Sequence, residues 1–280
     1  ITPEHIESHG SFENYLDAKL SIARALAHSS KKRKVVVANA DDAQGEKFLN
    51  VGVSEKYPYS LHEAKPYSVK KEGVELTIDG THMTSKLSGE FNIYNILAAA
   101  TLSKSQGVGV DTIKRAVEKF SGIPGRMERV DEGQDFTVVI DYAHTADSLE
   151  KVYEVFAHSR TICVLGGTGG GRDKWKRPEM GTVASRHCSH IILTNEDPYD
   201  EDPLRIIEEI AQGITRPIHE TIIDRREAIK TALQSARTGD TVLITGKGTD
   251  PYIMGPNNTK LAWSDARVAR EELKNIMKIS

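Results

Sequence analysis

The chain has 280 residues, 38% of them hydrophobic, more than one compact domain usually holds and enough to bury two separate cores. Lys+Arg 37 against Asp+Glu 40 leaves a net charge of -3, which offers a nucleic-acid polyanion no general footprint, so nucleic acid is not an expected partner and a small molecule is. No apolar run approaches the roughly 20 residues of a membrane span, and Cys163 and Cys188 lack C-x-x-C spacing, so they read as reduced thiols of a cytoplasmic protein with no membrane association.

The opening Ile-Thr-Pro-Glu-His is unlike a signal peptide, and a start on Ile1 suggests a fragment or a processed chain. Apolar residues at helical spacing over 12–27, among them Tyr15, Leu16, Leu20 and Ala23, predict a helix that leads through a basic loop at 31–34 into a buried strand at 35–38. Alternation over 67–87 around Glu72-Gly73 and Asp79-Gly80 predicts a small antiparallel meander. Helices from about Asn92 and from about Asp111 then end at Ser121-Gly122-Ile123-Pro124-Gly125, so the domains are drawn as 1–122 and 123–280. In the second domain, strands at 137–140, 161–165, 191–194 and 242–245 alternate with helices after Asp147, Pro178, Asp202 and Asp224. That alternation predicts an α/β, Rossmann-like, mostly parallel doubly wound sheet.

Ligands of such sheets collect at the carboxyl ends of the strands, where this chain is chemically rich. Asp141, in Asp141-Tyr142-Ala143-His144-Thr145, could accept from ribose hydroxyls or could cap the turn that follows. The stretch Gly166-Gly167-Thr168-Gly169-Gly170-Gly171-Arg172-Asp173-Lys174 has five glycines in six positions and two cations behind them, which suits an anion. It is not a phosphate-binding P-loop, because Gly-x-x-x-x-Gly-Lys-Ser/Thr occurs nowhere in the chain. Glu196, Asp197 and Tyr199 follow the third strand, and Gly246 to Asp250 the fourth. These acidic turns would suit ammonium groups or stand solvated. Asn92 and Asn95 share a helix face and could read a heterocycle edge. Spacing assigns nothing to His5 or Lys19, and a lysine ammonium has no lone pair for a metal.

Taken in order, seven segments resemble the Mur ligases, and within them the tripeptide-forming branch. They are Thr2-Pro3-Glu4-His5 with Ser8-His9-Gly10 and Asp17-Ala18-Lys19; Asn39-Ala40-Asp41-Asp42; Phe91-Asn92-Ile93-Tyr94-Asn95; Gly125-Arg126-Met127-Glu128; Asp141 to Thr145; Arg172-Asp173-Lys174; and Lys176-Arg177-Pro178-Glu179-Met180-Gly181. The resemblance implies an ATP- and Mg²⁺-dependent ligase of peptidoglycan precursor synthesis, monomeric and cytoplasmic. It would add a free diamino acid to a UDP-MurNAc-dipeptide through an acyl phosphate. Residues 1–122 would then be the later part of the central ATP-binding domain without its P-loop, and residues 123–280 the amino-acid-binding domain. The chain alone is accordingly expected to be inactive.

The same resemblance implies roles for single residues. Lys19, as a carbamate, and His5 would hold Mg²⁺. Asn92 and Asn95 would contact adenine, Arg126 and Asp141 ribose or phosphate, and Lys174 phosphate. Arg172, Glu196, Asp197, Tyr199, Gly246 and Asp250 would form the amino-acid site. Diaminopimelate-adding members usually carry an arginine where this chain has Tyr199, and a glutamate where it has Asp250, so lysine fits Tyr199 better. Two other readings remain: a relative without a P-loop that binds nucleotide or UDP-peptide without catalysis, and another Mur-fold ligase of the folylpolyglutamate or cyanophycin type.

Overall fold

In the computed structural model, which describes residues 1–2, 6–215 and 219–279, the chain divides where the sequence breaks its helical pattern, into units Ile1–Ser121 and Gly122–Ser280. In the first unit a short α1 (Ile6–His9) precedes α2 (Phe12–His28), which begins where the Ser11 hydroxyl accepts from the Asn14 amide at 3.1 Å. One stripe of α2, Tyr15, Leu16, Leu20 and Ala23, is buried, as its spacing predicts. Strand β1 (Val35–Asn39) is followed by α3 (Gly45–Leu49) and pairs in parallel with β2 (Glu55–Tyr59). Gly45 is required here, because a Cβ would lie 1.8 Å from the Asn39 carbonyl oxygen.

The expected meander is β3 (Ser68–Lys70), β4 (Gly73–Ile78) and β5 (Thr81–Ser85), all antiparallel. Asp79 and Gly80 have φ of 49° and 75°, the left-handed pair that a two-residue hairpin needs. Leu76 and Met83 of this sheet pack with Ile93 and Leu97 of α4 (Glu90–Ser105) and with Ile113 of α5 (Val110–Lys119) in a fully buried cluster. The Tyr94 hydroxyl on α4 donates to the Asp41 carboxylate at 3.0 Å, joining two of the seven segments. Burial, and then that carboxylate, push the Tyr94 phenol up to about 12.

The second unit runs β6 (Glu128–Val130), β7 (Thr137–Ile140), α6 (Ala146–Val155), β8 (Thr161–Leu165), α7 (Lys176–His187), β9 (His190–Leu193), α8 (Pro203–Ala211), β10 (His219–Thr221), α9 (Arg225–Ser235) and β11 (Thr241–Ile244). A hairpin of β12 (Tyr252–Met254) and β13 (Lys260–Ala262) and the helix α10 (Asp265–Ile279) complete it. The sheet order is β10-β9-β8-β11-β7-β6, parallel throughout except for β6 at one edge. This is the doubly wound sheet expected from the sequence. Alternate strand residues face opposite helical layers. Val139, Cys163, Leu165, Ile191 and Leu243 pack with α6, α7 and α8, whereas Val138, Ile162, Val164, Ile192 and Val242 pack with α9 and α10. Burial on both faces is why these strands read as continuous apolar runs. Helices α8 and α9 start on side-chain caps, Asp202 accepting from the Leu204 amide at 3.0 Å and Asp224 from the Arg226 amide at 2.8 Å.

One expectation is corrected. Cys163 and Cys188 are not free thiols but a disulfide. Cys163 points from β8 toward the α7 layer, and Cys188 is the residue at which α7 ends as the chain returns beside β8, so the β-α-β unit brings their Cα atoms to 6.1 Å. Spacing alone hid this, because the sequence separation of 25 is consumed by one crossover. Among the described residues no helix is long and apolar enough to cross a membrane.

Closing a loop of that length stabilises the folded state by about 3 kcal/mol. The Cys163→Ala/Cys188→Ala variant should therefore lose roughly that amount in a denaturant titration. The native protein should show no titratable thiol until it is both unfolded and reduced, and reaction with a thiol reagent in the folded, unreduced state would contradict the bond.

Candidate functional site

The order of the sheet decides where a ligand can sit. From β7 the chain steps through β8 and β9 to β10 in one direction, with α6, α7 and α8 on one face. It then returns through α9 to place β11 between β8 and β7, with α9 and α10 on the opposite face. The loops after β8 and β11 therefore diverge and leave a crevice at the carboxyl end of the sheet.

Both loops are glycine-rich because other chain segments press against them. A Cβ on Gly166 would stand 2.8 Å from the Glu196 Cβ, on Gly169 2.2 Å from the Pro198 carbonyl oxygen, and on Gly170 2.8 Å from the Tyr199 ring. Gly167 lies against Ile206 and Ile210, at 3.1 Å. Of the five glycines only Gly171 faces open space. Close packing explains the run without a pre-formed anion cradle, and it ties the loop after β8 to the segment after β9. The Gly169 amide donates to the Asp197 carbonyl at 2.8 Å in the same seam. Across the crevice, Gly246 has φ 105°, and a Cβ there would sit 2.1 Å from a Glu196 carboxylate oxygen. Gly248 lies equally close to Gly125 and Tyr142.

The charges at this seam fall into three sets. Glu196 is 2% exposed, with Oε1 accepting from the Thr168 hydroxyl at 2.9 Å while the buried Oε2 has no hydrogen-bond partner among the described residues. Lys247, also buried, donates to Asp197 Oδ2 at 2.7 Å and makes a longer contact with Asp250 Oδ2 at 3.5 Å, and Asp197 Oδ1 accepts from the Met254 amide at 2.8 Å. Arg177, beneath the glycine loop, binds Glu209 at 2.6 Å, Glu201 at 3.2 Å and the Thr168 carbonyl at 2.9 Å. Burial opposes ionisation of Glu201, but Arg177 and Lys174 outweigh it and hold that carboxyl below its usual range.

Near β7, the Asp141 carboxylate accepts from the Met127 and Ala143 amides, both at 2.7 Å. Burial pushes its pKa up against those two bonds and the Arg126 charge. The Arg126 guanidinium lies 4.0 Å over the Tyr142 ring. Burial raises the Tyr142 phenol, Asp250 and Glu196 raise it further, and Arg126 and Arg172 oppose them, so one aromatic ring senses four of the charges in question.

Of the residues singled out from sequence, Asp141, Arg126, Arg172, Glu196, Asp197, Tyr199, Gly246 and Asp250 thus lie around the carboxyl ends of one sheet. Asp197 is committed to Lys247 and Met254. Arg172 is exposed, with no ion pair among the described residues. Lys174 meets Glu201 at 3.2 Å, an additional partner for a lysine expected to face phosphate. In the first unit, Asn95 Nδ2 donates to Asn92 Oδ1 at 3.0 Å and Asn92 Nδ2 to the Ser88 carbonyl at 2.7 Å, so they share a face and Asn92 serves as the buried anchor. Lys19 is exposed on α2, its Nζ 4.8 Å from the Tyr15 ring centre. His5 lies outside the described residues. Among those described, no group of three or more His, Cys, Asp or Glu side chains is placed to hold a metal ion. Sequence reasoning missed Lys247, Arg177 and Arg225. The signal for Lys247 was its place between two glycines directly after a buried strand.

Residues 1–103 match the family described as Mur ligase middle domain, and residues 125–248 match Mur ligase, glutamate ligase domain. The chain belongs to the Mur ligase family. It is 35% identical over 98% of its length to UDP-N-acetylmuramoyl-L-alanyl-D-glutamate--2,6-diaminopimelate ligase of Bacillus cereus, covering 58% of that protein. It is 36% identical over 99% of its length to UDP-N-acetylmuramyl-tripeptide synthetase of Roseiflexus sp., covering 59% of it. A solved UDP-N-acetylmuramoyl-L-alanyl-D-glutamate--2,6-diaminopimelate ligase is similar at 29% identity and TM-score 0.57 over 96% of this chain and 58% of that one. The chain thus spans about three-fifths of the length of the curated relatives it matches.

Two measurements test the seam. Gly246→Ala must displace Glu196 and adopt a strained φ, so it should cost at least about 2 kcal/mol in denaturant unfolding. Glu201, held below its usual range, contributes stability that is complete above about pH 4.5 and lost as pH falls through its folded value. Glu201→Gln should therefore flatten the acid limb of a stability-versus-pH curve, and an unchanged limb would remove Glu201 from the account.

Proposed function

We propose that this chain supplies the later part of the ATP-binding domain and the amino-acid-binding domain of a cytoplasmic, Mg²⁺-dependent ligase that joins a diamino acid to a UDP-MurNAc-dipeptide. The observation that carries the reading is the crevice between β8 and β11, where a buried carboxylate oxygen of Glu196, the outward Asp250 and the exposed Arg172 stand around Tyr142. An amino acid presents an ammonium to such carboxylates and a carboxylate to such a guanidinium. Relatives named for diaminopimelate and tripeptide synthesis support the same class of substrate.

In the reaction the peptide carboxylate would take the γ-phosphoryl group of ATP as an acyl phosphate, and the amine would displace phosphate. The contribution of this chain is to hold the amine in line and neutralise charge. Asn95, held by Asn92, would read an adenine edge. Arg126 and the remaining lone pairs of Asp141 suit a nucleotide's phosphate and ribose, and Lys174 a phosphate. Lys19 as a free ammonium cannot ligate a metal, whereas a carbamate on its exposed Nζ would offer Mg²⁺ the oxygen pair it prefers. His5 is the proposed second group. A Cys163–Cys188 bond is compatible with a cytoplasmic setting because both residues are buried away from soluble reductants.

Tyr199 brings no cation to the crevice, its ring being packed on Gly170. We therefore expect lysine to bind more tightly than meso-diaminopimelate. Titration calorimetry on the 280-residue chain decides this, and a preference for diaminopimelate would overturn the role of Tyr199. Without a Gly-Lys-Ser/Thr phosphate loop in its sequence, the same chain should release no phosphate from ATP with UDP-MurNAc-dipeptide and either amino acid. Measurable dipeptide-dependent release would refute that expectation.

A further inference from the structure

Lys247 is a fully buried ammonium for which the reading above has no use. Its Nζ is held 2.7 Å from Asp197 and 3.5 Å from Asp250, and the side chain is 1% exposed against 40% for Asp250. The turn that carries it is wedged on both sides, Gly246 against Glu196 and Gly248 against Gly125 and Tyr142. It is closed by the Asp250 amide donating to the Lys247 carbonyl at 2.8 Å. Asp197 is engaged at both carboxylate oxygens and at its own carbonyl, by Lys247, the Met254 amide and the Gly169 amide respectively.

We propose that Lys247 is a positioning residue of the amino-acid site. It withdraws Asp197 from recognition by neutralising it, and it fixes the half-exposed Asp250 so that this carboxylate is the one open to an incoming ammonium, while Glu196 stays buried beside Gly246. The proposal rests on the amino-acid reading of the crevice. A buried ammonium has three protons to place, and Asp197 takes the shorter contact at 2.7 Å, so little of that carboxylate's charge remains for a third ion. Asp250, three residues along the same turn, takes the weaker contact and keeps its outer face to solvent. Lys247 thereby links a carboxylate that only holds structure to one that meets substrate.

The test uses the 280-residue chain and lysine as probe. The Lys247→Met/Asp197→Asn variant removes both charges of the buried pair, keeps an acceptor for the Met254 amide, and should unfold within a few degrees of the parent. Its lysine affinity in calorimetry should nonetheless fall by about tenfold, because Asp250 is no longer held. Asp197→Asn alone leaves Lys247 on Asp250 and should change affinity by no more than about threefold. Parent-like affinity in the double variant would reduce Lys247 to a structural role, and a tenfold loss in Asp197→Asn would return Asp197 to the ligand set; either overturns the proposal. Hydrogen exchange at the Asp250 amide, read without ligand, should quicken in the double variant, and unchanged protection overturns the proposal independently. Absence of any lysine or diaminopimelate binding by the parent would instead refute the amino-acid reading, and the exchange measurement would still decide whether Lys247 holds the turn.

Discussion

A sheet that reverses its winding leaves strand-end carbonyls without ladder partners, and the organisation of the crevice depends on how Arg225 takes them up. Its guanidinium forms a fork with Asp265, at 2.8 and 2.7 Å, and donates to the Thr245 carbonyl at 2.8 Å and the Asn195 carbonyl at 3.3 Å. Those carbonyls follow β11 and β9, so one buried cation joins the ends of two strands to the start of α10. The arrangement tolerates no half measures: stripping one partner from a buried ion pair costs about 3–5 kcal/mol, because the other charge is left unpaired. The Trp263 indole N–H completes Asp265 at 2.8 Å. Glu196 and Lys247, each a short step past these anchored carbonyls, inherit their positions from that fork.

The glycines have a related consequence. A run such as Gly166 to Gly171 invites a reading as a mobile cradle, yet neighbours leave no room for a methyl group on Gly166, Gly169 or Gly170 and crowd Gly167. The loop is narrow because the segment 194–199 and α8 come up against it, and Arg177 locks its Thr168 carbonyl from beneath. Rigid support of this kind would suit the proposed ligase site, in which an amine would be held in line with an activated carboxylate and small displacements would lower the rate. Arg172 follows the one glycine facing open space, so it projects from a fixed base.

How much was legible in the sequence follows from burial. Strands 137–140 and 161–165 were read to the residue because both faces are covered and each run is apolar after its opening threonine. Strand β2, Glu-Lys-Tyr-Pro-Tyr, was missed because none of its residues is fully buried and its proline argues against a strand. The three-residue β6, β12 and β13 are shorter than any periodicity window. The candidate residues at strand ends were legible because topology brings them together, whereas the buried ion pairs of Arg177, Arg225 and Lys247 were not. A charged residue is normally solvated, and partners 32, 40 and 50 positions away in sequence are set by the fold alone. The disulfide escaped for the same reason.

Asp141 shows why the two sequence readings of a strand-end carboxylate, cap or ligand contact, need not compete. Its Oδ1 closes a turn on the Ala143 amide, as a cap would, and its Oδ2 reaches 14 residues back to the Met127 amide. Met127 has φ 49°, a conformation costly for a side chain of that size and sustained by the bond. That left-handed step comes directly after Arg126 and turns the chain where its guanidinium lies over Tyr142. Burial works against ionisation of Asp141 and raises its pKa, whereas the two amide bonds, with Arg126 and His144, favour the carboxylate. In the proposed reaction Asp141 would therefore act first by presenting Arg126, and a direct contact to ribose would use the lone pairs that its capping leaves over.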